Sequence, residues 1–578
     1  MQRRDTEVPQ RDPSHQEPKP APHQPLPEGS LDRLEEEIAA AAEELIGEAV
    51  GTEQTALARP PRPELGDYST NAGLILARQA RLPPRQLAQQ IGEGLQRRLG
   101  GRMLHFEVAG PGFLNIFLDD AWHVQALRSV LAAGERFGAG GAQRPQRVLI
   151  EFVSANPTGP MHVGHARNAA YGDALGRLLA FHGEHVSREF YVNDAGSQIL
   201  KLGESIQAIA EGREPPEHGY HGEYVHSLLG AVAAGERVSA AELGGRAVAI
   251  IVEKMKSSLA RFRVLDYEHW QYESELHEVQ PQLLGREGTP VSPVAHAIEL
   301  LEQKGMTYRS EGALWLRTSQ LGDDKDRVLV RANGEHTYFA SDIAYHQRKR
   351  ERGFERQIDV WGADHHGYVP RMRAAYQALG GDPDHLEMII MQLVHLVRDG
   401  RRAQMSKRAG EFVTLDDLVQ EIGVDAARWY LLSRSHETTI DLDLDLAVKQ
   451  SSENPVYYVQ YAHARIASML VKASAHVRFQ ALEGPDPPAL HPSERDLVKV
   501  LLQFPHEVAE AADRRAPHRI AAYALELAQS FTAFYRDCRV LGAQPACAEE
   551  LRLALSSATQ RVLARALDLL GLSAPESM

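Results

Sequence analysis

The sequence predicts an α/β protein: a doubly wound catalytic-type domain with a helical insertion, preceded by a small α+β domain and followed by an α-helical bundle. Three observations carry this. The apolar run Arg147–Val153 (RVLIEFV) leads through a Pro/Gly turn into helical spacing of Ala170, Ala174, Leu175, Leu178 and Leu179. A further apolar run, Val186–Val192, completes a strand-helix-strand unit, and strand patterns resume at Val328–Arg331, His336–Phe339 and Gln357–Trp361. After about residue 412 the pattern is helical to the end.

In chain order, residues 1–30 hold seven of the 32 prolines with mixed charges, which predicts a disordered extension. Ser30 can cap a helix beginning LDRLEEEIAAAAEELI. Phe106–Phe117 (FEVAGPGFLNIF) reads as two short strands about a Gly-Pro-Gly turn, so a first domain covers 31–120. A helical stretch and a Gly-rich linker fill 121–145. The doubly wound domain spans 146–411, and its polar, helical segment at about 201–325 reads as an insertion between the two halves of the sheet. Residues 412–578 form the bundle, with amphipathic segments at Asp416–Ser433, Pro455–Ala473, Ser493–Ala512 and His518–Val540.

A length of 578 residues with 43% apolar side chains allows sizeable cores in more than one domain. The charge is acidic, 63 basic against 78 acidic residues, which argues against bulk electrostatic binding of nucleic acid or anionic membrane. Local basic clusters remain at Arg348-Lys349-Arg350 with Arg352, and at Arg398, Arg401, Arg402, Lys407 and Arg408; a solvated helix face and a charged loop are the plain alternatives. Cys538 and Cys547 are too few for a disulfide framework or a cysteine-based zinc site, and a reducing compartment suits them. The apolar stretch Met388–Val397 is too short to span a bilayer and contains Gln392 and His395. With no apolar signal core, and with Asp5, Glu7, Asp12 and Glu17 opposing a transit peptide, the expected location is cytoplasmic, with no membrane contact.

The densest chemistry lies in Glu151–Asn168, EFVSANPTGPMHVGHARN. It sets His162-Val163-Gly164-His165 at the mouth of a helix. Unpaired N–H groups and the helix dipole suit a phosphate there, and Gly164 allows close approach. No G-x-x-x-x-G-K-[ST] loop occurs in the chain. Alone, such a histidine pair is more often incidental or half a metal site. The downstream Met405-Ser406-Lys407 alone is a surface lysine in a loop.

Together the two segments resemble the HIGH and KMSKS signatures of class I aminoacyl-tRNA synthetases. The likeness is greatest to the arginyl-tRNA synthetases. It is carried by EFVSANPTGPMHVGHARN, FYVNDAGSQI (190–199), TYFASDIAYH (337–346), VWGADHHGYVPRM (360–372), QMSKRAGEFVTLDDL (404–418) and ENPVYYVQYAHARI (453–466). GDYSTNA (66–72), AGPGFLN (109–115), RDCRVL (536–541) and APESM (574–578) extend it to both ends. The chain departs from the signatures at Val163, Gln404 and Arg408, while the second signature lysine survives as Lys407.

The resemblance implies a Rossmann-type catalytic domain that ligates L-arginine to arginine tRNA through an arginyl-adenylate. It implies His162, His165 and Lys407 as catalytic groups. Pro157, Gly159, Gly164, Gly362, Asp364, Met405 and Ser406 would join them in holding ATP, which brings Mg2+ as a substrate complex and needs no tightly bound metal. Glu151, Asn156, Tyr338, Asp342 and His365 would hold arginine; a guanidinium suits two carboxylates that an aliphatic side chain would leave unpaired. Activation is expected to need bound tRNA. The bundle would take the anticodon, with Tyr457, Tyr458, Tyr461 and Arg465 as stacking or phosphate groups, although at least two of these aromatics suit a buried helix face. Tyr68 and Asn71 of the first domain would reach the tRNA corner. A monomer without an obligate protein partner is expected. Three other readings stand beside this one: a synthetase for lysine, a small nucleotidyltransferase sharing the HxGH turn, and a non-catalytic tRNA-binding relative.

Overall fold

The computed structural model describes residues 31–232, 238–286, 288–402, 413–473 and 488–578. They fall into two compact units, divided between Ser129 and Val130. Ser30 and the segment holding Gln404 to Arg408 lie outside the described residues.

The first unit has an antiparallel sheet in the order Leu57–Ala58, Tyr68–Thr70, Phe113–Leu118, Met103–Ala109. Helix Leu31–Ile46 buries Leu31, Leu34, Ile38, Ala41 and Ala42, a stripe at helical spacing. The Gly-Pro-Gly turn closes the predicted hairpin, pairing Ala109 with Phe113. Gly112 must be glycine: its φ is +147°, and a Cβ there would sit 2.8 Å from Pro84 Cβ.

The second unit is built on five parallel strands: β1 Arg147–Glu151, β2 His185–Val192, β3 His269–Tyr272, β4 Arg356–Gly362 and β5 Leu386–Met391. Their order is β5-β4-β1-β2-β3. The winding direction reverses between β1 and β4, and such a sheet opens a crevice there at the strands' C-terminal ends. Helix α1, Val163–His182, joins β1 to β2 and buries residues around its whole circumference. Helix α2, Tyr338–Glu351, leads into β4.

The segment predicted as a helical insertion is mixed. Helices Ser197–Ala210, Glu223–Val232, Ala240–Arg261 and Pro293–Gln303 are present. Yet β3 belongs to the main sheet, a small hairpin follows at Gln280–Leu284 and Pro290–Val291, and an antiparallel sheet runs through Thr307–Ser310, Ala313–Leu316 and Arg327–Val330. These strands are only two to five residues long, too short for alternation to stand out from a helical background. His336–Phe339 is not a strand. His336 makes one bridge to Val330, and Thr337 caps α2, its hydroxyl accepting from Ala340 N. The capping energy of Thr337 outweighs a four-residue alternation.

Beyond 412 the chain is mainly but not wholly helical. Asp416–Ser433 divides at Gly423 into Leu415–Ile422 and Val424–Leu432, and Ile440–Asp443 pairs parallel with Val394–Arg398. The long helices that follow are Pro455–Lys472, His518–Asp537 and Ala546–Leu569. A buried ion pair ties them to the sheet domain. Arg428 and Asp173 are both 0% exposed, with Nη2 2.6 Å from the carboxylate. Arg428 also donates to Leu570 O (2.8 Å) and Phe262 O (3.1 Å), while Asp173 accepts from Arg177 and from Leu265 N. No described helix is long and apolar enough to cross a membrane.

Candidate active site

Past Glu151 the chain turns sharply. Val153 has φ +69° and Ser154 φ +39°, left-handed values that cost of order 1–3 kcal/mol each outside glycine. Four bonds pin this turn. Asn168 of α1 accepts from Val153 N (2.7 Å) and donates to Val360 O of β4 (2.8 Å). The Ser154 hydroxyl donates to Glu151 Oε1 (2.8 Å) and accepts from Tyr191 N of β2 (3.1 Å). The strain is thus held by α1, β2 and β4 together.

The crevice is a cleft of about 790 Å³. Glu151, Asn156, His162, Gly164 and His165 line one side of it, from β1 and the α1 turn. Tyr338 and Asp342 of α2 and Gly362, Asp364 and His365 after β4 line the other. Two residues expected to hold ATP do not line this cleft. Pro157 is buried outside the lining, and Gly159 faces a neighbouring apolar cavity with Tyr224, Met255 and Asp416. The turn points these two away from the cleft. Met405, Ser406 and Lys407 lie outside the described residues.

The histidines cap α1 reciprocally. His162 Nδ1 accepts from Gly164 N (3.1 Å), and His165 Nδ1 accepts from His162 N (3.2 Å). Their rings stack at 3.8 Å. Burial lowers both pKa values, that of His165 to about 3 with help from His162. Each ring is therefore neutral with its Nδ1 spent as an acceptor, which leaves its proton on Nε2. A Cβ at Gly164 would sit 2.9 Å from His162 Cε1. Gly164→Ala is expected to displace that ring and slow ATP-dependent chemistry by roughly 10–100-fold with the fold intact; steady-state rates beside circular dichroism check it.

Main-chain pairing joins this turn to the residues that follow the second signature. Val163 N donates to Val413 O (3.3 Å) and Leu415 N to Met161 O (2.8 Å). The Thr414 hydroxyl then caps the next helix by accepting from Asp417 N (3.0 Å). The cleft wall at Gln392–Leu393 is held by Arg167, 1% exposed. It donates to the carbonyls of Gln392, Leu393, Ser435 and Thr438 at 2.6–3.4 Å. Burial lowers its pKa to about 10, so it stays charged at neutral pH.

Strand register creates the charge pattern beneath the cleft. Asp359 pairs with Glu151 and Glu151 with Glu189, so three carboxylates stand in a row across β4, β1 and β2. Lys349 of α2 donates to Glu151 Oε2 (2.6 Å) and Asp359 Oδ1 (2.7 Å). Arg352 holds Glu189 with two bonds, 2.6 and 3.0 Å, and Tyr345 adds a third. Arg350 donates to Leu379 O and Gly380 O, and Arg348 pairs with Glu351. Lys349, Arg350 and Arg352 are thus committed to partners within the domain, while Arg348 pairs along its own helix.

One expectation about charge also needs correcting: Glu151 does not stand unpaired, because Lys349 already holds it. Two acids without a lysine or arginine ion pair among the described residues have raised pKa values, Asp342 and Glu273. Burial raises the Asp342 pKa to about 6, against a Tyr368 hydroxyl that donates to it. Burial, then the charges of Asp342 and Asp194, raises that of Glu273 to about 7. Sequence reasoning missed Glu273, Lys349, Tyr368 and Asn168. Glu273 directly follows β3, and recognising that strand would have pointed to it.

Of the residues expected to touch tRNA, Tyr68 is 1% exposed and packs edge-on against Trp122. It is a core side chain and cannot present a surface contact. Asn71 is exposed. Tyr461 and Arg465 are exposed on helix Pro455–Lys472 and line a cavity with Tyr535 and Met578. The Arg465 guanidinium lies over both Tyr461 (5.2 Å) and Tyr535 (5.0 Å). Tyr457 stacks on Tyr461 at 6.0 Å, while Tyr458 donates to Thr532 (2.9 Å).

Comparison with known proteins agrees with this layout. The chain matches the family models for the arginyl tRNA synthetase N terminal domain at 32–118, the class I tRNA synthetase (R) catalytic domain at 126–466 and the DALR anticodon binding domain at 459–578. It is 43% identical over 540 residues to an arginine–tRNA ligase of Geobacillus kaustophilus, covering 89% of this chain and 92% of the relative. It is 41% identical over 582 residues to that of Bacillus subtilis, covering 96% and 100%. The Thermus thermophilus arginyl-tRNA synthetase structure superposes with a TM-score of 0.75 at 27% identity, covering 95% of this chain and 100% of that one. With the HVGH helix mouth at the switch point of a doubly wound sheet and these matches along nearly its whole length, the chain belongs to the class I arginyl-tRNA synthetases, the arginine–tRNA ligases.

Proposed function

We propose that the cleft activates L-arginine with ATP and passes the arginyl group to arginine tRNA, and that the acid pair Asp342–Glu273 is what selects arginine. The observation that carries this is Asp342, in the same cleft as a helix mouth lined by neutral histidines, with Glu273 close enough for each charge to be felt; both pKa values are raised, and neither acid has a lysine or arginine ion pair among the described residues. A guanidinium is the cation that two carboxylates hold best, and Tyr338 stands at the start of the same helix. Glu151, Asn156 and His365 lie toward the strand ends, where the α-amino end of arginine meets the nucleotide.

ATP rests its phosphates against the N-terminus of α1, with His162 and His165 donating from Nε2. Asp364 accepts from the ribose hydroxyls, beside the Gly362 backbone. Met405, Ser406 and Lys407 supply the second signature, Lys407 meeting the charge that builds on pyrophosphate. Mg2+ arrives with ATP. The arginine carboxylate is already ionised, so it attacks the α-phosphorus without a general base, and positioning and charge stabilisation carry the step. The terminal ribose of the tRNA then attacks the mixed anhydride, releasing AMP.

A net charge of −15 favours limited local contact with tRNA over broad attraction. Tyr461 and Arg465, joined by Tyr535, offer a stacking site for a loop base, and Asn71 is the exposed candidate in the first domain. Residues 31–120, 146–411 and 412–578 are assigned to tRNA corner, catalysis and anticodon respectively, in a monomeric protein.

Pyrophosphate exchange into ATP, run with each amino acid with and without tRNA, tests the reading. Arginine alone should support exchange, and only with tRNA present. Exchange driven by lysine overturns the specificity; full exchange without tRNA removes only the tRNA requirement.

A further inference from the structure

We propose that Lys349 is a positioning residue that fixes which end of arginine enters first, by turning Glu151 from a guanidinium trap into an ammonium station. The proposal rests on the reading of the cleft as the arginine site.

The argument starts from register. Asp359, Glu151 and Glu189 are 1%, 6% and 0% exposed and stand side by side because β4, β1 and β2 are parallel and in step. Their neutralisers come from one face of α2 and its end. Tyr345, His346, Lys349 and Arg352 recur at spacings of three and four, as one helical face requires. Arg352 serves Glu189. His346 Nε2 lies 2.7 Å from Asp359 Oδ2, and its Nδ1 lies 2.7 Å from Asp342 O. Lys349, itself 0% exposed, bridges Glu151 and Asp359 and lies 4.2 Å from the Tyr345 ring centroid.

Without Lys349, Glu151, which lines the cleft, and Asp359, buried beside it, would form a pair of adjacent carboxylates with no cation between them. That fork would bind a guanidinium bidentately and compete with Asp342–Glu273. Arginine held that way would turn its carboxylate from His162 and His165, so the attack geometry would be lost. With Lys349 in place a cation already occupies the fork. Glu151 Oε1 also accepts from Ser154. What remains suits one small cation, the α-ammonium. The guanidinium is left with the acid pair that has no lysine or arginine ion pair among the described residues. A lysine performs this task because its ammonium is a compact point charge that fits between two carboxylates.

The test uses the full chain and two probes, L-arginine and 5-guanidinopentanoate, which lacks only the α-amino group. Calorimetry on the wild type should show arginine binding roughly tenfold or more tighter than the analogue. In Lys349→Met the ratio should fall toward one, with arginine losing affinity and the analogue keeping or gaining it. Because Lys349→Met leaves carboxylates buried without their cation, Lys349→Met with Asp359→Asn removes one charge of each sign and should lower the ratio likewise. Lys349→Arg keeps the cation and should retain most of the ratio. A wild-type ratio in both Met variants overturns the proposal, as does an equal loss for both probes, which marks a purely structural lysine. Asp342→Asn binding arginine as the wild type does would instead overturn the arginine reading of the cleft.

Discussion

Asp342→Asn lowers kcat/KM for arginine by roughly a thousandfold or more and leaves the fold in place. In the proposed arginine site this carboxylate meets the substrate cation, and an amide there offers a dipole with one end of the wrong sign. A site built around a specific polar partner discriminates by about 10⁴–10⁵ when that partner is lost; Glu273 remains to hold part of the guanidinium, hence the smaller figure. Folding should not suffer, since Asp342 has no lysine or arginine ion pair among the described residues and its burial already opposes ionisation. The same two acids give a pH dependence of definite sign. With pKa values raised to about 6 for Asp342 and about 7 for Glu273, both are ionised at pH 8 and increasingly protonated toward pH 6. A cation binds the ionised forms, so KM for arginine rises as pH falls through that window. Their effect on the empty protein runs the other way. A carboxyl with a raised folded-state pKa holds its proton more tightly folded than unfolded, so its contribution to stability falls as pH rises from the unfolded value, near 4, through 6–7. Arginine therefore stabilises the protein more at pH 8 than at pH 6. Exchange rates against arginine concentration between pH 6 and 8.5 measure the first effect and melting curves the second; a KM independent of pH would sink both.

Arg428→Met destabilises the larger unit by about 3–5 kcal/mol, the usual cost of leaving one member of a buried ion pair alone. The loss exceeds one charge. Leu570 O and Phe262 O lose their donor together with Asp173, at a point where α1, helix Val424–Leu432, the end of helix Ala546–Leu569 and Phe262, just after helix Ala240–Arg261, meet. Arg428→Lys should recover little, because three partners in different directions match a planar fork and not a single ammonium. Urea titration followed by tryptophan fluorescence reads the shift. A change under 1 kcal/mol would mean that Arg177, also on Asp173, takes over the pair.

Much of the site was legible in the sequence because it is local. Strand, turn, histidines and α1 lie within Arg147–His182, and the Pro/Gly turn and the helical period mark their own positions. Asp342 and Tyr338 were legible through the resemblance. What was not legible depends on register between strands remote in the chain. Nothing near Glu151 shows that Asp359 and Glu189 flank it, and so nothing showed that Lys349 is an internal counter-ion instead of part of a basic surface. Glu273 was hidden because β3 is four residues long amid helices. Tyr68 misled for the opposite reason: its motif was visible, but its burial follows from packing against Trp122, which no local pattern displays.

The Arg167 clamp has a consequence for ionic strength. Its four partners are main-chain carbonyls, which are dipoles and not ions, and it lies out of reach of solvent. Added salt weakens exposed pairs such as Arg398–Glu421 within a Debye length of about 10 Å at 0.1 M. Among the described residues no carboxylate pairs with Arg167 for salt to displace. The cleft wall at Gln392–Leu393 therefore keeps its shape across salt concentrations at which charge-steered contact with a polyanion fades, so salt separates the tRNA encounter from the small-molecule pocket.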